Sequence, residues 1–189
     1  MSKLIIANWK LNPTTLNEAI ALVSGLAHSM KVEEFEKIVI LPPFIFLEEL
    51  VKRFKHFKWG AQDVFWEKKG AYTGEVSPLM LKEIGCEYVI LGHSERREHF
   101  REDNELVNKK VLAALKNGLK PILCIGETLE ERQHERTEDV LEEQLLKCLA
   151  NVDDIKNAVI AYEPVWAISK GDPNKKSATK ADAEEAHLF

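Results

Sequence analysis

The feature that most constrains this chain is a change of hydrophobic period that repeats along its whole length. Short apolar runs rich in Ile and Val stand at residues 4–7, 38–41, 88–91, 122–125 and 158–162. They do not alternate polar with apolar, which is the pattern of strands buried on both faces, as in a parallel sheet. A weaker run at 58–64, KWGAQDV, is assigned as a strand because the spacing demands one. Between the runs the period is helical. Leu16, Ala19, Ile20, Val23, Leu26, Ala27 and Met30 share one helix face, and Thr15 with Glu18 forms a capping box in front of them. Residues 106–116 read as a helix stopped by Asn117-Gly118. Val140, Leu141, Leu145, Cys148 and Leu149 mark another, opened by Thr137, while 44–54 and 78–84 fill the remaining gaps. The last helix starts near Thr179 and runs to Phe189. The order is strand then helix, six times, at about thirty residues per unit. Such alternation implies an α/β fold of parallel strands joined by right-handed crossovers. No linker or low-complexity stretch interrupts it, so a single domain is expected over residues 1–189.

Composition narrows the class of function. Lys plus Arg is 26 and Asp plus Glu is 31, a net charge of −5. That balance gives no electrostatic reason to expect a nucleic-acid or membrane-surface partner. No apolar run approaches the ~20 residues of a membrane-spanning helix, and the run at 4–7 is too short for the core of a signal peptide. Three cysteines, Cys86, Cys124 and Cys148, share no metal-ligand spacing, and their odd number argues against a disulfide framework. A cytoplasmic location is expected.

The C-terminal ends of the strands are unusually polar, and ligands of parallel α/β proteins bind at that rim. Asn8 and Lys10 follow the first strand, Gln62 and Asp63 end the third, His93 follows the fourth, Glu127 the fifth, and Glu163 ends the sixth. A carboxylate, an imidazole and an ammonium on one rim are the parts of proton-transfer chemistry. His93, in GHSERR at 92–97, stands where a strand turns into a helix. The positive end of the helix dipole disfavours its protonation, so it reads either as a neutral donor or as a simple cap of the turn. Glu163, in AYEPVWA at 161–167, reads either as a general base under a bulky apolar loop or as half of an ion pair. Lys10 offers a point charge for an anionic substrate, or is solvated surface. The loop that follows Pro164 runs to about Thr179, long enough for a lid. Residues 70–75, GAYTGE, read as a protruding loop that could reach another subunit, or as plain surface. Cys124, inside an apolar strand, reads as packing.

Taken together, NWK at 8–10, GAQDV at 60–64, GAYTGE at 70–75, GHSERR at 92–97, CIGE at 124–127 and AYEPVWAI at 161–168 closely resemble the triosephosphate isomerase family, in order and spacing, over essentially the whole chain. The resemblance implies interconversion of dihydroxyacetone phosphate and D-glyceraldehyde 3-phosphate through an enediol, without cofactor or metal. It implies that Glu163 moves the carbon-bound proton, that His93 polarises the carbonyl, that Lys10 stabilises the enediolate and the phosphate, and that Asn8 adds a donor. Ser169 would offer its backbone N–H to the phosphate, while Glu95 and Cys124 would support the site. Residues 164–178 would form the lid. Thr73, with Gln62, Glu75 and Arg96, would build a dimer interface beside Asn8 and Lys10.

The chain also departs from the family. The family's TIM barrel has eight strand–helix units and this sequence has six, so an incomplete TIM (β/α)8 barrel lacking its last two units is expected. No glycine pair matches the family's phosphate-gripping loops. Ser169-Lys170-Gly171 replaces the usual Gly-Thr-Gly, and Asp172-Pro173-Asn174-Lys175 lengthens the lid. Two unpaired strand edges would remain. The retained chemistry favours a piece of an isomerase that needs a complementary (β/α)2 chain, or a fragment of a longer product, with negligible activity alone. The alternative is a catalytically inactive, self-associating module.

Overall fold

The strands pair in chain order, all parallel, in one curled open sheet: β1-β2-β3-β4-β5-β6. A computed structural model describes residues 3–169 and 177–189. The elements run β1 (Ile5–Asn8), α1 (Leu16–Ser29), α2 (Val32–Phe35), β2 (Ile38–Leu41), α3 (Phe44–Arg53), β3 (Lys58–Ala61), α4 (Pro78–Glu83), β4 (Tyr88–Leu91), α5 (Ser94–Phe100), α6 (Asn104–Lys116), β5 (Lys120–Ile125), α7 (Leu129–Gln133), α8 (Thr137–Cys148), β6 (Val159–Tyr162), a 3₁₀ turn (Val165–Ala167) and α9 (Lys180–Leu188). The fold is therefore an incomplete (β/α) barrel of six units.

Helix starts follow the sequence signals closely. Thr15 caps α1, accepting from the Glu18 N–H, while the Glu18 carboxylate takes the Thr15 N–H. Thr179 caps α9 in the same way with Asp182. Thr137 differs: it is the first helical residue of α8, and the position before it, Arg136, makes no side-chain cap. The third strand stops at Ala61, so Gln62 and Asp63 lie in the loop beyond it. Two short helices, α2 and α7, are too brief to print a period on the sequence.

Alternation along the strands builds two apolar layers. Val39, Leu41, Tyr88, Ile90, Ile122 and Cys124 fill the concave face of the sheet. Ile38, Ile40, Val89, Leu91, Leu123 and Ile125 point the other way, into the larger core under the helices. Burial on both faces holds for β2 and β4, every residue of which is buried. It fails at the margins. β1 and β6 each pair on one side only, and Ile5 is 58% exposed and Ile160 37%. Their sequences match those of the inner strands, but a neighbour on the outer side is missing, so the expected burial of the first and sixth strands is not realised.

Candidate active site

The turn from β4 into α5 requires Gly92. Its φ is +67°, and a Cβ there would lie 2.9 Å from the Arg97 guanidinium and 3.2 Å from the Cys124 carbonyl oxygen. Arg97 fastens the turn by donating to the Gly92 carbonyl at 2.8 Å. The next residue, His93, is buried and is the N-cap of α5: its Nδ1 accepts from the Glu95 N–H at 3.2 Å. An accepting Nδ1 carries no proton. The ring is then the neutral tautomer with its proton on Nε2, and that nitrogen stands 3.2 Å from Glu163 Oε1. Nδ1 thus meets the capping reading of His93, while Nε2 faces the Glu163 carboxylate.

Glu163 follows β6 and is held by α5. Its Oε2 accepts from the Ser94 N–H at 3.0 Å, and its Oε1 from the Ser94 hydroxyl at 2.9 Å. Ser94 did not stand out in the sequence, although the first residue of a helix has a free N–H and could have been flagged on that ground. Glu163 forms no ion pair with a lysine or arginine among the described residues; its neighbours are the two Ser94 donors and His93 Nε2.

Across the sheet, Asn8 ends β1 and Lys10 lies in the loop after it. Lys10 has a φ of +55°, a left-handed conformation that is strained for a residue with a Cβ. Two hydrogen bonds hold it there. Its N–H donates to Asn8 Oδ1 at 2.9 Å, and its carbonyl accepts from Gln62 Nε2 at 2.9 Å. The same Gln62 nitrogen also donates to the Leu41 carbonyl, so Gln62, expected at a subunit contact, ties the Lys10 turn to the end of β2 within this chain. The Lys10 ammonium pairs with Glu95 Oε1 at 2.8 Å. Asn8, Lys10, Gln62, His93 and Glu95 line one cavity of about 630 Å³ at the C-terminal rim. Glu163 joins them through His93 and Ser94.

Arg96, also expected at a subunit contact, has partners inside the chain. It pairs with Asp63 at 2.8 Å and with Glu102 at 2.8 Å, and its guanidinium stacks on Phe100. Lys110, on α6 and buried, pairs with both carboxylates. Burial pushes the Asp63 carboxyl up, against the pull of Lys110 and Arg96. The network packs two carboxylates against two cations behind α5.

Glu127 organises the other side. Completely buried, it accepts from the Tyr162 hydroxyl at 2.9 Å and the Trp166 indole at 2.8 Å, and it pairs with Arg132 at 3.2 Å. Arg132 also stacks on Trp166 and bridges to Asp182 of α9. Trp166 lies in the first turn after Glu163, so Glu127 fixes the root of the segment expected to be a lid. Residues 170–176 of that segment lie outside the described residues, and Ser169 is exposed at its edge. Thr73 and Glu75 sit in an exposed loop, with the Tyr72 ring packed at a tilt against Phe65 at 4.7 Å. Cys124 lies beneath the site in the concave core, where burial pushes its thiol up to about 12.

Comparison with known proteins places the chain in a family. The family model described as triosephosphate isomerase matches residues 3–189. A triosephosphate isomerase of Thermoanaerobacter pseudethanolicus is 51% identical over 186 residues, covering 96% of this chain and 73% of that protein. One of Geotalea uraniireducens is 48% identical over 194 residues, covering 100% of this chain and 75% of the relative. One of Dictyoglomus thermophilum is 46% identical over 187 residues, covering 97% and 73%.

Proposed function

Because the chain belongs to the triosephosphate isomerase family, we propose that it isomerises dihydroxyacetone phosphate and D-glyceraldehyde 3-phosphate with the residues just described, and that it does so once two further strand–helix units close its sheet. The observation that carries the first part is the Glu163–His93 contact of 3.2 Å, which joins the ends of β6 and β4 across β5. Glu163 acts as the base. It leaves Ser94, takes a proton from the substrate carbon beside the carbonyl, and returns it to the neighbouring carbon. His93 donates from Nε2 to the carbonyl oxygen and shuttles a proton between the two enediol oxygens. A neutral imidazole with Nδ1 already occupied is suited to that role. With Oδ1 of Asn8 taken by the Lys10 N–H, the group it has for a substrate oxygen is its –NH₂, a donor. Lys10 supplies positive charge to the enediolate and the phosphate, and Glu95 holds its ammonium in place until substrate arrives.

The second part rests on the sheet margins. The outer edges of β1 and β6 are unpaired and apolar, and a largely apolar groove lined by Pro13, Ala21, Leu22 and Leu26 runs along α1. A complementary (β/α)2 chain would pair both edges and cover that groove. Remote phosphate contacts supplied with it would add binding energy usable at the reacting carbons. The exposed apolar margins also suit a self-associated assembly of this chain, which light scattering separates from a monomer. The protruding Tyr72–Thr73 loop supports a dimer in which it reaches the Lys10 turn of a second copy.

A coupled isomerase assay with and without the complementary chain tests both parts. Activity should appear on mixing, and Glu163→Gln should lower it about 10²–10⁴-fold. Full activity in Glu163→Gln would remove Glu163 as the base, and full activity in the chain alone, in a sample free of other isomerases, would remove the need for closure.

A further inference from the structure

The position of Glu163 is set from behind by a contact with no slack. The backbone of Gly126, just beyond β5, presses directly on the Glu163 peptide: a Cβ at Gly126 would lie 1.8 Å from the Glu163 carbonyl oxygen and 2.7 Å from its carbon. The Glu163 N–H meanwhile donates to the Ile125 carbonyl at 2.7 Å. Where Gly126 sits, Glu163 must sit. Gly126 is in turn held by one side chain. Gln144, half-buried on α8, accepts the Gly126 N–H on its Oε1 at 2.8 Å and donates from Nε2 to the Gly126 carbonyl at 3.2 Å. Its amide takes both main-chain groups of one residue, as a neighbouring strand would. Only a primary amide of this reach both accepts and donates in that geometry. Gln144 also breaks the pattern of its helix. It falls four residues after Val140 and four before Cys148, on the stripe whose other members are buried and apolar, so no packing requirement accounts for a polar residue there.

We propose that Gln144 is a positioning residue for the proton-transfer carboxylate, acting through Gly126. The inference rests on the reading of Glu163 as the base. Productive geometry at a reacting atom is narrow, and a displacement of about 1 Å costs about 10²-fold in rate. The clamp sets Glu163 to that tolerance from a helix outside the sheet.

The Ser94 amide reports on it without turnover, because its N–H donates to Glu163 Oε2 at 3.0 Å. In the chain labelled with ¹⁵N at serine, Glu163→Gln, which removes the charge the Ser94 N–H faces, should move the Ser94 resonance. Gln144→Met removes both clamp bonds, and Gln144→Glu keeps the acceptor and loses the donor. Either should move the Ser94 resonance upfield, toward its place in Glu163→Gln, and Gly126→Ala should do the same. In the catalytically active assembly, kcat should fall about 10–100-fold with KM within about twofold. A lowered Tm with the Ser94 resonance unmoved would make Gln144 a merely structural residue and overturn the proposal. The unmutated chain gives an independent reading: the Gly126 amide should resist hydrogen exchange as well as those of β5, and exchange at the rate of an exposed amide would also overturn it. Failure of the base reading looks different, since activity would then survive Glu163→Gln while the Ser94 resonance still responded to Gln144.

Discussion

The inner strands and the two marginal strands are written in the same residues, yet they meet different fates. Val39, Leu91 and Leu123 are fully buried, whereas Ile5 and Ile160 stand substantially exposed. The inner strands are covered by helices on one face and by one another's side chains on the other, and both of their edges are paired. The margins have a single neighbour each. The residues proposed to react divide along the same line. His93 rides on β4, in the firm interior, while Lys10 follows β1 and Glu163 follows β6. The candidate site is therefore strung between one residue in the paired interior and two whose strands have an open side.

The comparison breaks most visibly under completion. Supplying two further strand–helix units should raise isomerase activity by orders of magnitude and slow hydrogen exchange in β1 and β6, with β2–β5 already protected; equal protection of all the strands before completion would erase the contrast. Next in size is the ion network behind the interior. Lys110→Met leaves two buried carboxylates, Asp63 and Glu102, with Arg96 alone between them and should cost about 3–5 kcal/mol in urea denaturation. Paired truncations sharpen the difference directly. Leu91→Ala should cost about 2–5 kcal/mol, while Ile160→Ala, on the margin, should cost under about 1 kcal/mol in the uncompleted chain. The smallest effect concerns the thiols. Burial pushes Cys86 and Cys124 up to about 12 from the ordinary thiol value of 9.0. Their raised folded values favour the folded state fully below pH 9.0, and this contribution is lost as pH climbs from there through about 12, because the unfolded chain sheds those protons first. At pH 8, alkylation of Cys124 should be slow in the folded chain and rapid once urea unfolds it.

Much of the site was legible because its signals are local. GHSERR marks a strand-to-helix turn, Glu163 ends an apolar run, and Thr15 with Glu18 announces a helix start; each is written in residues a few positions apart. What escaped the sequence lies far along the chain from what it contacts. Ser94 holds a carboxylate 69 residues away. Gln62 and Arg96, expected at a subunit contact, have distant partners inside the chain, Gln62 on the Lys10 turn and Arg96 on Asp63. Their spacing from those partners has no periodic trace. Gln144 left one faint sign, a polar residue on a buried stripe, but nothing local told which backbone its amide would meet.

The sequence by itself determined the alternation of strand and helix, the parallel order and the identity of the chemical groups on one rim, because period, capping and strand-end polarity are properties of neighbouring residues. Only the tertiary structure decided which strands became margins, which nitrogen of His93 faces Glu163, and how Gly126 and Gln144 fix that carboxylate. Those outcomes depend on contacts between residues tens of positions apart, where hydrogen-bond direction and close packing, with tolerances of tenths of an ångström, select one arrangement from many that the same pattern would allow.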